Sequence, residues 1–160
     1  MLLDRRYEQD SRNISFSVHT TQDDILNVSQ LISTFCEENQ LDPQNSMLIS
    51  LSLEETLLSI RERSFPEDPS QTIDVRILIV PAQEADSKGS IILRIRCSGA
   101  PFNPISYYQQ RQQDADQTDD DLDSLLNSLD DSLGIAMIVS SASQVDYKTT
   151  FGVNNLTTLI

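Results

Sequence analysis

The chain has 160 residues, 38% of them apolar, which suits a single domain with a real core. Twenty-five acidic against 11 basic residues give a formal charge of -14, which argues against nucleic acid and anionic membranes and favours basic protein partners. Two cysteines without a paired motif, Cys36 and Cys97, and a single histidine, His19, give no disulfide framework, zinc site or His-based catalysis.

Residues 1–13 are polar and read as a flexible N-terminus. "ISFSVH" (14–19) alternates apolar and polar residues, the pattern of a half-buried strand. "TTQDD" offers helix caps, and Ile25, Val28, Leu31, Ile32 and Phe35 then recur at helical spacing over about 23–39. "LDPQN" breaks the chain. From about 44 to 63 apolar residues lie nearly all round, which predicts a central, buried helix. "TIDVRILIV" (72–80) and "SIILRIRC" (90–97) read as strands joined by a hairpin-type connection.

Residues 103–131 are polar, with eight aspartates from Asp114 to Asp131 and no Lys or Arg after Arg111, and read as a long acidic lid with a short helix near 121–129. Its "SYYQQRQQ" contributes two aromatics, either a partner contact or a cover for a pocket. "LGIAMIVSSA" (133–142) predicts a buried helix, and two final strands meet at Gly152. The order predicts an α+β, two-layer α/β sandwich: a mixed, mostly antiparallel sheet with three helices on one face, in one domain over 14–160. The other face is expected to be partly exposed or paired with a second subunit. No charged-then-apolar leader and no apolar run near 18 residues stand in the sequence, so a cytoplasmic location is expected.

Four blocks carry a resemblance: "SLEETLLSIRERSF" (52–65), "CSGAPFNP" (97–104), "SLGIAMI" (132–138) and "FGVNNLTTLI" (151–160). In this order they resemble the anti-sigma-factor serine kinases of bacteria, members of the histidine-kinase/gyrase-type (Bergerat fold) ATPases. The resemblance implies that Glu55 stands at the catalytic base and Ser59 at the magnesium ligand, where the family has Asn. Arg63 takes the family's His position and Phe65 its aromatic. Cys97 replaces the Asp that accepts from the adenine amino group, while Gly99, Pro101, Phe102 and Pro104 match. Gly134 matches a phosphate-binding glycine, Ser132 replaces another, and Thr157 matches a threonine near the adenine. The implied nucleotide pocket is therefore Cys97, Gly99, Phe102, Gly134 and Thr157.

The departures fall on the ligand-gripping positions. A thiol is a weak acceptor. A serine hydroxyl is a poor magnesium ligand. Carboxylates beside a triphosphate repel it. The leading expectation is a regulatory protein-binding module with weakened or lost ATP binding and no cofactor. The resemblance implies a sigma factor or an anti-sigma antagonist as partner, and a possible homodimer. The second reading is a working serine/threonine kinase that uses ATP and magnesium to phosphorylate such an antagonist. A third is a non-enzymatic module in a sensory system outside sigma control.

Overall fold

The structure, a computed structural model, describes residues 12–66, 68, 70–82, 89–117 and 133–160. Among these residues, five strands and four helices follow in the order β1 (Arg12–His19), α1 (Gln22–Glu38), α2 (Pro43–Ser64), β2 (Thr72–Val80), β3 (Ser90–Ser98), α3 (Pro104–Gln117), α4 (Leu133–Ser141), β4 (Gln144–Thr150) and β5 (Val153–Leu159). The strands form one sheet in the order β1-β2-β3-β5-β4, antiparallel at every pairing. The chain is thus the expected two-layer α/β sandwich.

Alternation along each strand divides the sheet. Val18, Ile73, Val75, Ile77, Leu93, Ile95, Cys97 and Leu156 point to one face and are buried with Ile25 and Ile32 of α1, Leu53 and Leu57 of α2 and Ile138 of α4. Burying each such side chain contributes roughly 1.5–3 kcal/mol. α2 is the central helix, packed between α1 and α4. The opposite face carries Ser15, Ser17, Asp74, Arg76, Arg94 and Arg96.

Local chemistry sets the ends. Thr21 caps α1 by accepting from the Asp24 amide at 3.2 Å. Pro43 starts α2, where a missing amide hydrogen costs nothing. Two expectations need correction. Residues 104–117, read as part of an irregular lid, form α3, because Asn103 Oδ1 accepts from the amides of Ile105 (3.0 Å) and Ser106 (3.4 Å) and Pro104 opens the first turn. Among the described residues the helices therefore number four, where three were expected. Strand β1 also begins at Arg12, two residues earlier than read. The helix expected near 121–129 lies outside the described residues, as do residues 1–11 of the N-terminal segment. Among the described residues no helix is long and apolar enough to cross a membrane.

Candidate functional site

The matching positions converge where the C-terminal end of α2 meets the end of β3. Glu55, Ser59 and Arg63 recur every four residues along α2, which places them on one side of that helix. Glu55 is half-buried, Ser59 buried and Arg63 exposed. Cys97, near the end of β3, points to the helix-covered face and is buried. Beyond it the chain turns through Gly99. The Ala100 amide donates to the Ser64 carbonyl at 3.2 Å, tying the turn to the last residue of α2.

Gly99 is a packing requirement at this point. A β-carbon there would stand 2.6 Å from Cε1 of the Phe65 ring and 2.8 Å from the Ser64 oxygen. The space that glycine opens is occupied by Phe65, a buried side chain of the protein itself.

The polar neighbour of Cys97 is Asn154, directly across from it on β5. Asn154 is buried, and its amide is used on both sides. Nδ2 donates to the Gly99 carbonyl at 3.1 Å, reaches the Ala100 carbonyl at 3.4 Å and lies 4.0 Å from the Cys97 sulfur. Oδ1 accepts from the hydroxyls of Thr149 at 2.9 Å and Tyr147 at 3.2 Å. Burial pushes the Cys97 thiol above its ordinary pKa, only partly opposed by the Asn154 contact. Position 97 therefore offers a neutral thiol, not a charged acceptor.

An aromatic cluster closes the outer side. The Phe102 and Tyr107 rings meet edge to face with centroids 5.6 Å apart. The Arg63 guanidinium lies 3.9 Å from the Tyr107 centroid and 5.4 Å from that of Phe102, and Arg111 approaches Tyr107 at 5.6 Å. These are cation–π distances. The first aromatic of "SYYQQRQQ" thus covers the site. Between α2, α3, α4 and the last two strands, Thr56, Ile105, Ile135, Ile138, Val145 and Leu156 line a cavity of about 10 Å³, room for one water molecule at most. A shallow hollow of about 400 Å³ lies outside Phe65 and is lined by Ser64, Pro66, Asp68, Gln71 and Gly99, but not by Glu55, Ser59 or Cys97.

The structure brings Cys97, Gly99 and Phe102 together at the end of α2, which carries Ser59 and Glu55. Gly134 is the second residue of α4. Thr157 does not join them: it faces the opposite side of the sheet, among Arg94, Arg96, Asp146 and Lys148. The helix side at the end of β5 receives Asn154, Leu156 and Thr158 instead. Asn154 stands in the fourth resembling block, "FGVNNLTTLI", and the two-residue alternation of β5 is the signal in the sequence that turns it toward the helices. Among the described residues no cluster of three or more His, Cys, Asp or Glu could hold a metal ion. A hydroxyl at 59 and a neutral thiol at 97 do not fit the magnesium and adenine groups that the Bergerat resemblance implies.

No protein-family model matches the chain, and no curated protein does. Among solved structures, a chain in the crystal structure of the SiaB-SiaC complex from Pseudomonas aeruginosa is similar, with TM-score 0.57 and 16% identity over 99% of this chain and 96% of that one. At that identity the likeness concerns the fold alone, so the conclusion is architectural: this chain shares, end to end, the fold of a protein crystallised in a complex with another protein.

Proposed function

We propose that the protein is a regulatory protein-binding module, built on an anti-sigma-kinase-like scaffold whose nucleotide binding is weakened or lost. The observation that carries this reading is the environment of position 97. Where the family would seat an adenine on a carboxylate, the neutral Cys97 thiol faces the Asn154 amide, and that amide is committed to the Gly99 and Ala100 carbonyls. The Arg63–Tyr107–Phe102 cluster supports the same reading. The partner is a sigma factor or an anti-sigma antagonist. The SiaB-SiaC structure adds support of a general kind, since a protein of this fold was crystallised with a protein partner.

The partner-facing surface is the outer side of α1. Leu26 and Leu31 are exposed there, on a helix that also carries Asp23, Glu37 and Glu38. Exposed apolar side chains on an acidic helix suit a basic partner with an apolar centre.

The test is thermal unfolding with millimolar ATP and magnesium. A ligand at about 100 times its dissociation constant would add about 2.7 kcal/mol and raise Tm by several degrees. The expected outcome is no shift; a saturable rise overturns the proposal in favour of a working kinase. Calorimetric titration with a sigma factor or an anti-sigma antagonist supplies the positive arm, in which Leu26→Asp weakens binding by about tenfold or more.

A further inference from the structure

The turn between β4 and β5 presents an aromatic ring to water. Phe151 is fully exposed, more so than any other large apolar residue among those described. Its backbone is left-handed, with φ 51, at a turn position that favours asparagine or glycine. A bulky side chain in that region is a conformational outlier. Phenylalanine at 151 therefore gains no burial in the isolated chain and strains its own backbone, and such an outlier points to a role outside the fold. The tip also stands clear of its surroundings: a β-carbon on Gly152 would meet nothing within 4 Å.

The base of the hairpin is held firmly. Asn154 Oδ1 accepts from the Thr149 and Tyr147 hydroxyls, and Nδ2 ties the hairpin to the Gly99 and Ala100 carbonyls. Val153 pairs with Ser98, so the hairpin turn and the turn after β3 lie side by side at one end of the sheet. The two stretches that meet here, 97–110 and 149–159, contain no Asp, Glu, Lys or Arg, in a chain that is 22% charged. Depletion of charge together with an exposed aromatic marks the centre of a protein interface. An aromatic anchor on a rigid base also loses little conformational freedom when it binds.

The same end of the molecule carries a recess. The hollow of about 400 Å³ has Phe65, Pro66, Ser98 and Gly99 in its wall and Asp68 and Gln71 at its polar side. The Asp68 carboxylate is already engaged by Ser70 and Gln71. The hollow has room for an aromatic ring, and the protein's own Phe151, fully exposed, does not fill it. A two-fold axis between two copies would seat each Phe151 in the other's hollow at once, because an isologous contact uses every pairing twice. Each copy carries a charge of -14, so two copies repel, and an uncharged end is where they approach with least repulsion.

We propose that this end of the sheet is a self-association surface, forming a symmetric dimer in which Phe151 of each copy enters the hollow walled by Phe65 and Pro66 of the other. The contact uses neither α1 nor a nucleotide, so the proposal stands or falls independently of the reading above.

Sedimentation velocity on the full chain, from low to high micromolar concentration, reads the association directly. A reversible rise toward twice the monomer mass is expected. Phe151→Asn supplies a favoured turn residue and removes the ring, so it should weaken dimerisation by about tenfold or more. Circular dichroism melts at a concentration where the wild type is monomeric should show this variant at least as stable. Pro66→Glu, at an exposed wall of the hollow, should weaken dimerisation by a similar factor; Ser98→Glu, also exposed and on the hollow, takes its place should Pro66→Glu not fold. Leu26→Asp on α1 should leave the dimer unchanged. The proposal is overturned by a monomer at every concentration, by an unchanged dimer in Phe151→Asn or in the folded hollow variant, or by a loss in Leu26→Asp as large as in Phe151→Asn.

Discussion

A β-carbon on Gly99 would meet both the Phe65 ring and the Ser64 carbonyl oxygen, at 2.6 and 2.8 Å. The ring could turn aside, but the carbonyl is fixed by the Ala100 amide. Gly99→Ala should therefore lower stability by about 1–3 kcal/mol and Tm by several degrees in a thermal melt; an unchanged Tm would mean the turn has slack. The two thiols give a second prediction. Burial raises the pKa of both Cys36 and Cys97, so between the ordinary thiol value of about 8.5 and the folded values the unfolded chain releases protons that the folded chain retains. Stability from this source is complete below about pH 8.5 and falls as pH rises above it. Urea midpoints measured at neutral and alkaline pH should show the decline, and a Cys36→Ala, Cys97→Ala double variant should flatten it. Equal slopes would place the sensitivity elsewhere. Much at this scale could be read beforehand: the glycine, the thiol at 97 and the serine at 59 are plain in the sequence. The Asn154 amide was not, because its importance depends on two carbonyls brought from the turn after β3 and two hydroxyls brought from β4.

The end of α1 is unusual for its residue rather than its geometry. The Gln40 amide donates to the Glu37 carbonyl at 3.0 Å and the Leu41 amide to the Cys36 carbonyl at 2.9 Å, a complete Schellman closure. Gln40 sits at its left-handed position, φ 56, where glycine is normally found. Gln40→Gly should raise stability by a few tenths to about 1 kcal/mol, read as a higher Tm; a fall would show that the Gln40 side chain contributes more than its backbone strain removes. The β4–β5 hairpin has the same character. Its two-residue turn places Phe151 and Gly152 at φ 51 and 75, the geometry that favours Asn-Gly, and Phe151 is fully exposed. Strands and long helices were legible as elements because their apolar periods are strong. α3 was missed because its period is weak, although Asn103-Pro104 is a helix start that needed no apolar stripe to be seen.

For the molecule as a whole, charge is distributed in two layers. The helix side carries Asp23, Glu37 and Glu38 on α1, whereas the opposite sheet face gathers Arg76, Arg94, Arg96 and Lys148. A net charge of -14 on 160 residues works against compactness by self-repulsion. Raising sodium chloride from about 10 to about 200 mM should therefore raise Tm, since screening relieves that repulsion. A falling Tm would mean that specific ion pairs outweigh it.

By itself the sequence determined the layers: period-two and period-3.6 patterns say which side of each element must leave water, and the missing carboxylate at 97 and amide at 59 are read directly from the letters. Tertiary structure alone decided what meets what. Strand order makes neighbours of Arg76 and Arg94, 18 residues apart in the chain, and of Cys97 and Asn154, 57 apart. It also turns Thr157 away from the residues it was matched with, because one step along a strand reverses the face, and which face is covered depends on how distant segments pack.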